Sequence, residues 1–192
     1  MASEVTIVGK EEVAKGWGTL TRYTIEQGSP EAPARHDRDV YEIGDAASVL
    51  LYDPEAGTVV LVRQFRLVVM LRGDNEGLLV EACAGLLDGD EPAACAMREA
   101  EEEAGYRVAS VQHVATCYLS PGGLSQKIHC FVGEYSPADR VSSGGGLEAE
   151  GEQIEVLELP FPQALAMIGR EIVDAQTILL LQHLALSGLM KR

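Results

Sequence analysis

Three glutamates near the middle of the chain, Glu99, Glu102 and Glu103, have a spacing that would place their carboxylates together. Glu102 and Glu103 follow Glu99 by three and four residues, so on a helix all three lie within about 100° of its surface. Glu101 would point about 200° away from Glu99 and needs no role beyond solvation. Like charges ~4 Å apart repel by about 4 kcal/mol at an effective dielectric of 20. The cluster therefore predicts bound divalent cations, with Arg98 offsetting part of the charge.

The residues around these glutamates predict a helix over about 91–104. Asp90 or Glu91 can cap its first turn, Pro92 is tolerated there, and Gly105 can adopt the left-handed conformation that ends a helix. A solvated face rich in glutamate is the plain alternative. It does not explain why a glycine-containing loop and an apolar strand precede the run, or why Gly-Tyr follows it directly.

Strands and helices alternate along the rest of the chain, and no internal period is present, so the sequence predicts an α/β (α+β) sandwich rather than a repeat protein. The first two strands predict an N-terminal antiparallel ribbon, with a turn at 28–33. The glycine-rich stretch 140–151 has no hydrophobic periodicity and predicts a mobile loop. Predicted strands cover about 4–8, 18–26, 46–52, 58–65, 78–84, 108–119, 127–135 and 154–159, and further helices cover about 162–168 and 176–190.

Length and composition restrict the class of protein. The 192 residues suffice for one sizeable core, so we expect one domain with an N-terminal elaboration. No uninterrupted apolar run reaches the ~18 residues of a membrane span, and the N-terminus lacks a signal-peptide pattern, so we expect a soluble cytoplasmic protein. The net charge of −15 disfavours nucleic-acid and anionic-membrane partners. Cys83, Cys95, Cys117 and Cys130 are predicted to be buried free thiols.

The segment 85–106, GLLDGDEPAACAMREAEEEAGY, resembles the Nudix box, G-x5-E-x7-R-E-U-x-E-E-x-G-U with U apolar. The half that begins at Arg98 matches in register. In the upstream half only six residues separate Glu91 from Arg98, so counting back places Asp90 at the glutamate of the box and Ala84 at its glycine. The loop is one residue short, which leaves the three glutamates of the cluster in register.

Further runs are similar to the GDP-mannose pyrophosphatase branch of the Nudix family: VRQFR (62–66), CAGLLDGDEP (83–92), YLSPGG (118–123), SGGGLEAE (143–150), IEVLELPF (154–161) and TILLL (177–181). The resemblance implies a Nudix α/β/α sandwich with a mixed sheet over residues 44–192. It also implies an N-terminal antiparallel β extension over residues 1–43. In the family, these N-terminal strands commonly exchange between two subunits of a homodimer, so a homodimer with a jointly built site is expected.

The resemblance implies a Mg²⁺ site, with Mn²⁺ as a substitute ion. It assigns metal binding to the backbone carbonyl of Ala84 and to the side chains of Glu99, Glu103 and Glu152. Glu102 would be a further group around the metal, and Glu152, Glu103 and Glu102 are the candidate catalytic residues. Glu152 is the best match in its loop because it precedes the run Ile154-Glu155-Val156 by two residues, but Glu148 and Glu150 are close enough to compete.

The same resemblance implies how a nucleotide-sugar substrate is bound. Arg66, just after an apolar strand, could reach a pyrophosphate with its planar guanidinium. For an arginine, the usual alternative is a surface salt bridge. For a lone tryptophan such as Trp17, it is core or interface packing. Gln126 stands where the family has glutamate and Gln176 where it has lysine, which affects sugar and phosphate preference. The substrate-binding set is Trp17 (from the partner subunit), Arg38, Asp39, Arg66, Gln126 and Gln176.

The activity implied by the resemblance is Mg²⁺-dependent hydrolysis between the phosphates of GDP-mannose, giving GMP and mannose 1-phosphate. An ADP-ribose pyrophosphatase with the same fold and box is the first alternative. A catalytically silent Nudix-like ligand sensor is the second, although such a protein would be expected to have lost box carboxylates that this chain retains.

Overall fold

The computed structural model describes residues 5–29, 32–147 and 151–190. The chain divides into two compact units. The first contains residues 1–45 and 118–127, and the second contains residues 46–117 and 128–192. The division into functional domains at residues 43 and 44 stays a prediction.

The first unit is built on a three-stranded antiparallel sheet in the order β1-β2-β3. The strands are β1 (Val5–Lys15), β2 (Thr19–Ser29) and β3 (Ala32–Glu42). The predicted ribbon is therefore present, but β1 is longer than predicted and β3 was not predicted. The charged run RHDRD within β3 has no apolar face, so the alternation that identifies a half-buried strand is missing.

The second unit contains a seven-stranded mixed sheet with the order β10-β5-β4-β9-β8, while β6 pairs with β5 and β7 pairs with β4. Strands β4 and β9 are parallel, and β4 is antiparallel to β5 and β7. The strands are β4 (Ala46–Asp53), β5 (Thr58–Phe65), β6 (Leu78–Glu81), β7 (Cys83–Leu86), β8 (Gln112–Tyr118), β9 (Lys127–Glu134) and β10 (Glu155–Pro160). The helices are α1 (Leu67–Leu71), α2 (Pro92–Ala104), α3 (Phe161–Ala166) and α4 (Ala175–Ser187).

Strand β4 is buried along its whole length, and its two faces pack against different helices. Ala47, Val49 and Leu51 belong to one buried cluster with the apolar side of α2. Leu50 lies on the opposite face by strand alternation, and α4 also contacts β4. Helices thus cover both faces of a mixed sheet, which confirms the predicted fold class. The buried leucines of α4 are Leu180, Leu181 and Leu184.

Three local predictions differ from the structure. The strand predicted over 78–84 is two strands, because β6 pairs with β5 while β7 pairs with β4. The five-residue helix α1 was not predicted. The stretch 141–147, predicted as part of a mobile loop, is hydrogen-bonded to the end of α2, and residues 148–150 lie outside the described residues. Within the described ranges, no helix is long and apolar enough to cross a membrane.

Candidate active site

Helix α2 and strand β7 bring the box glutamates into the interior of the second unit. Glu99 and Glu103 are buried side chains on the same side of α2, whereas Glu101 pairs with Arg107 at the surface. Glu99 and Glu103 therefore share one side of the helix, as their spacing predicts, and Glu101 lies on another. Pro92 opens the helix and Gly105 ends it in the left-handed conformation, with φ 81°.

Gly85 makes room for one of these carboxylates. A Cβ atom built on Gly85 would overlap the carboxylate of Glu99. The glycine that leaves room for Glu99 is therefore Gly85, one residue after the position that counting back from Arg98 gives. The missing residue of the box lies in the loop between β7 and α2, where Asp90 contacts Arg98 at 3.3 Å and Glu91 makes no side-chain cap.

Glu103 is held by the backbone of β7. The Ala84 N–H donates to Glu103 Oε2 at 3.0 Å, and the side chain is 1% exposed. Burial, with the neighbouring charge of Glu99, raises the pKa of Glu103 to about 8, and the hydrogen bond from Ala84 opposes this only in part. A carboxylate in this position gains strongly from a nearby cation.

Arg98 joins two of the box glutamates. Its Nη1 lies 2.8 Å from Glu99 Oε1 and 2.8 Å from Glu102 Oε2, and its Nη2 donates to the Leu86 carbonyl at 3.2 Å. Burial raises the pKa of Glu99 to about 7, with Arg98 opposing the shift and Glu102 adding to it. Arg98 thus offsets part of the charge, as predicted, while the pKa of Glu99 remains far above the usual value of 4.5.

The glycine-rich stretch 141–147 covers the C-terminal end of α2. The N–H of Gly145 donates to Glu103 O at 2.9 Å, and the N–H of Gly146 donates to Glu102 O at 3.1 Å. These bonds satisfy carbonyls that a helix end leaves without partners. A Cβ on Gly144 would overlap the carbonyl oxygen of Glu103, so this glycine permits the close approach.

The stretch 141–147 also binds Glu152, the predicted loop glutamate, through its backbone. Glu152 Oε2 accepts a hydrogen bond from the Leu147 N–H at 3.0 Å. The charge of Glu152 also contributes to the raised pKa of both Glu99 and Glu103. The three carboxylates are therefore close enough to interact electrostatically. The competing candidates Glu148 and Glu150 lie outside the described residues.

Arg66 lies at the junction of β5 and α1 and interacts electrostatically with Glu103. Its Nε donates to Glu81 Oε2 at 2.7 Å, and its positive charge lowers the pKa of Glu103 against the larger effect of burial. Glu81 is 6% exposed and was not identified from the sequence. The available signal was a single acidic residue in the apolar run Leu78–Ala82.

Gln176 lies in the first turn of α4 and is buried. Asp174 caps this helix by accepting from the Thr177 N–H at 2.9 Å, and the Thr177 hydroxyl accepts from the Ala82 N–H at 2.8 Å. The start of α4 is therefore fixed to the segment between β6 and β7, beside Glu81. Gln176 supplies an amide side chain to this part of the fold.

The other predicted substrate residues belong to the first unit. Trp17 is 73% exposed, which excludes core packing within the described chain. Arg38 is exposed and donates to the Asp37 carbonyl at 2.9 Å. Asp39 accepts from Arg22 Nε at 2.7 Å and from Arg22 Nη2 at 2.9 Å. Gln126 is buried and donates to the Gly44 carbonyl at 2.9 Å.

The donor set of the second unit suits a hard divalent cation. Glu99 and Glu103 are buried carboxylates whose pKa values are raised mainly by burial, and oxygen ligands are those that Mg²⁺ prefers. Across residues 5–29, 32–147 and 151–190, no three His, Cys, Asp or Glu side chains already stand at metal-ligand spacing. Arg98 and the Ala84 N–H hold the carboxylates instead.

The fold and the glutamate-lined helix define the class of protein. Residues 42–177 match the NUDIX domain, and the chain belongs to the Nudix family.

The chain is also similar over nearly its full length to proteins named GDP-mannose pyrophosphatase. It is 52% identical to the one from Cronobacter sakazakii, with 99% of this chain and 100% of the relative covered. It is 45% identical to the one from Klebsiella pneumoniae, with 99% and 96% covered. A relative of the same name from Escherichia coli strain UTI89 is 45% identical, with 99% and 100% covered.

Proposed function

We propose that this protein hydrolyses the pyrophosphate bond of GDP-mannose, giving GMP and mannose 1-phosphate, with Mg²⁺ as the cofactor. The observation that carries the proposal is the buried pair Glu99 and Glu103, which lies against β7 beside Arg66 and Glu152. The full-length similarity to GDP-mannose pyrophosphatases supports the choice of substrate.

Glu99, Glu103, Glu152 and the carbonyl of Ala84 would hold the metal. The N–H and C=O of one strand residue point to the same edge, so the Ala84 carbonyl is expected on the side where its N–H meets Glu103. When bound, Mg²⁺ would screen the pyrophosphate and lower the pKa of a water molecule. Mn²⁺ is expected to substitute.

The chain's own residues would bind the substrate and move the proton. Arg66 has two Nη groups without a hydrogen-bond partner in the described part of the chain, and these can donate to phosphate oxygens. Glu152 would accept the proton from the attacking water, and Glu102, which lies beside Glu99 through Arg98, is the alternative acceptor. Gln126 and Gln176 would contact the substrate through amides.

A homodimer is part of this proposal, with residues 1–43 as the dimer-forming extension. Strand β1 exposes apolar side chains, among them Ile7 at 63%, and such exposure is typical of surfaces that a partner covers. Trp17, Arg38 and Asp39 would then contact the substrate bound to the other subunit, with Trp17 stacking on the base. Four free cysteines suit the reducing cytoplasm.

ADP-ribose pyrophosphatase activity is the second candidate. It is favoured by the neutral amides of Gln126 and Gln176, at positions where the GDP-mannose branch is expected to have charged side chains. Both side chains are buried, so the loss of charge changes the interior of the chain and not merely its surface.

The experiment that tests the proposal is a substrate panel assayed by product mass spectrometry with and without Mg²⁺. The panel contains GDP-mannose, GDP-glucose, ADP-ribose, ADP-glucose and a dinucleoside polyphosphate. We expect GMP and mannose 1-phosphate from GDP-mannose, only with the metal. Preference for ADP-ribose would select the second candidate, and nucleotide-sugar binding without any phosphate product would indicate a ligand sensor.

The variant Glu103→Gln should lower turnover at least about a thousandfold while the protein stays folded, because a metal ligand is lost. Glu101→Gln is the matched control, since Glu101 lies on the same helix but faces Arg107 at the surface. Near-normal turnover of Glu103→Gln would contradict the proposed site.

A further inference from the structure

Glu81 is a buried carboxylate with one ionic partner. It lies in β6 opposite Val62 of β5, between apolar neighbours, and burial raises its pKa despite the adjacent guanidinium of Arg66. The charge of the nearby Asp174 raises the pKa of Glu81 further. A charged group is rarely buried without a specific partner. Arg66 is that partner, so a carboxylate at this buried position is explained by its contact with Arg66.

The contact uses one particular donor of Arg66. Glu81 accepts from Nε at 2.7 Å, which leaves both Nη groups without a hydrogen-bond partner among the described residues. The Arg66 side chain is 42% exposed, whereas the Glu81 side chain is 7% exposed. One edge of the planar guanidinium is thus anchored in the interior while its outer end stays open, an arrangement that suits bidentate recognition of a phosphate.

The backbone of Arg66 is fixed as well. Its N–H donates to the Gly77 carbonyl at 2.7 Å, and its carbonyl accepts from the first turn of α1. With both ends of the residue held, rotation about the side-chain bonds is the remaining freedom, and the bond to Glu81 removes it. The guanidinium also stays close enough to Glu103 to lower its pKa.

We propose that Glu81 is a positioning residue, which holds Arg66 through Nε so that both Nη groups face the substrate pyrophosphate beside Glu103. This inference rests on the proposed function, because it requires Arg66 to bind the pyrophosphate. Glu81 itself does not touch the substrate.

The test is a double-mutant cycle of Glu81→Met and Arg66→Ala, with kcat and KM measured for GDP-mannose. Met has a length similar to Glu and suits apolar surroundings, so the fold should persist, as thermal melting will check. Each single variant should lower kcat/KM roughly ten- to a hundredfold. The double variant should be no worse than Arg66→Ala, because Glu81 acts only through Arg66.

Glu81→Gln keeps an oxygen that can accept from Nε, so it should recover most of the activity lost in Glu81→Met. Glu155→Ala is the matched control. It removes the 2.8 Å surface ion pair between Glu155 of β10 and Arg63 of the neighbouring strand β5, and should leave kcat/KM unchanged. Binding of GDP-mannose measured by calorimetry without Mg²⁺ should weaken in Glu81→Met as it does in Arg66→Ala.

The outcomes separate the two proposals. If Arg66→Ala retains normal kcat/KM, the assigned role of Arg66 is wrong and the positioning role fails with it. If Arg66→Ala is impaired while Glu81→Met is normal, or if the two losses multiply in the double variant, only the positioning role is overturned. Failure of Glu81→Gln to recover activity would also overturn it.

Discussion

At the scale of single residues, the site depends on carboxylates that burial makes hard to ionise. Glu99 and Glu103 are close enough for each charge to disfavour the other, and the compensation comes from Arg98, Arg66 and one backbone N–H. Such a cluster is favourable for cation binding because the ion removes a repulsion that the fold already contains. Outside this cluster, a buried thiol at Cys83 lies beside Glu103, whose charge adds to the burial that raises the cysteine pKa.

The raised pKa values predict how stability depends on pH in the metal-free protein. The pKa of Glu103 is about 8 and that of Glu99 about 7, against 4.5 for an ordinary glutamate. Between these values the folded state binds more protons than the unfolded state, so the free energy of unfolding should fall as pH rises from about 5 to about 8. We expect a loss of several kcal/mol, since the two pKa values together lie about six units above the ordinary ones and one unit corresponds to about 1.4 kcal/mol.

The measurement is chemical denaturation in EDTA at several pH values. Glu103→Gln should flatten the profile, Glu101→Gln should keep it, and Mg²⁺ should raise stability most at pH 8, where the carboxylates must otherwise repel one another. A wild-type profile that does not fall between pH 5 and 8 would contradict the assignment of these shifts.

At the scale of elements, two glycines allow close approaches to helix α2. Gly85 of β7 leaves space for the carboxylate of Glu99 near the middle of the helix, and Gly144 lies against the backbone of Glu103 at its C-terminal end. Strand β7 and the stretch 141–147 are thereby kept close to these two glutamates. Glu152 follows the second loop and is held by the Leu147 N–H.

The two glycines around the β7 to α2 connection should respond differently to replacement by alanine. Gly85→Ala should displace the Glu99 carboxylate and lower Mg²⁺ affinity and kcat/KM by about a hundredfold or more. Gly89 has open space around its Cβ position but a φ of 97°. Gly89→Ala should therefore lower stability by about 1 to 2 kcal/mol and leave Mg²⁺ affinity intact. Metal titration calorimetry and thermal melting distinguish the two effects, and equal metal affinity in both variants would argue against the packing role of Gly85.

At the scale of the whole molecule, the proposed substrate residues are divided between two compact units. Trp17, Arg38, Asp39 and Gln126 belong to the first unit, and the box glutamates and Arg66 belong to the second. A homodimer that exchanges its N-terminal strands would let one subunit supply residues of the first group to a site of the other.

Two inactive variants should restore activity when their subunits are mixed. The double variant Trp17→Ala/Arg38→Ala lacks the residues proposed to act on the partner's site, and Glu103→Gln lacks a metal ligand of its own site. An exchanged one-to-one mixture should recover about a quarter of wild-type activity, because half of the dimers are mixed and each has one complete site. Gel filtration should show a dimer throughout. No recovery in a mixture with proven subunit exchange would contradict a jointly built site.

Much of the box and its helix could be predicted from the sequence. The helix bounds, the shared side of the glutamates and the ending at Gly105 follow from local geometry, because helical periodicity and backbone preferences act over a few residues. The family and its fold followed from the resemblance. By contrast, β3 was missed because its charged residues carry no periodic apolar signal.

Other features depend on contacts between residues far apart in the chain, which no local pattern encodes. The tertiary structure decided that Gly85 is the glycine that leaves room for Glu99, that the stretch 141–147 closes the end of α2, and that Glu81 pairs with Arg66. It also decided which carboxylates are buried, and burial sets their pKa values. The sequence determined which chemical groups are present and on which side of α2 they lie. Only the packing of the strands against that helix determined which of those carboxylates are buried, which donors they accept hydrogen bonds from and which of them lie close together.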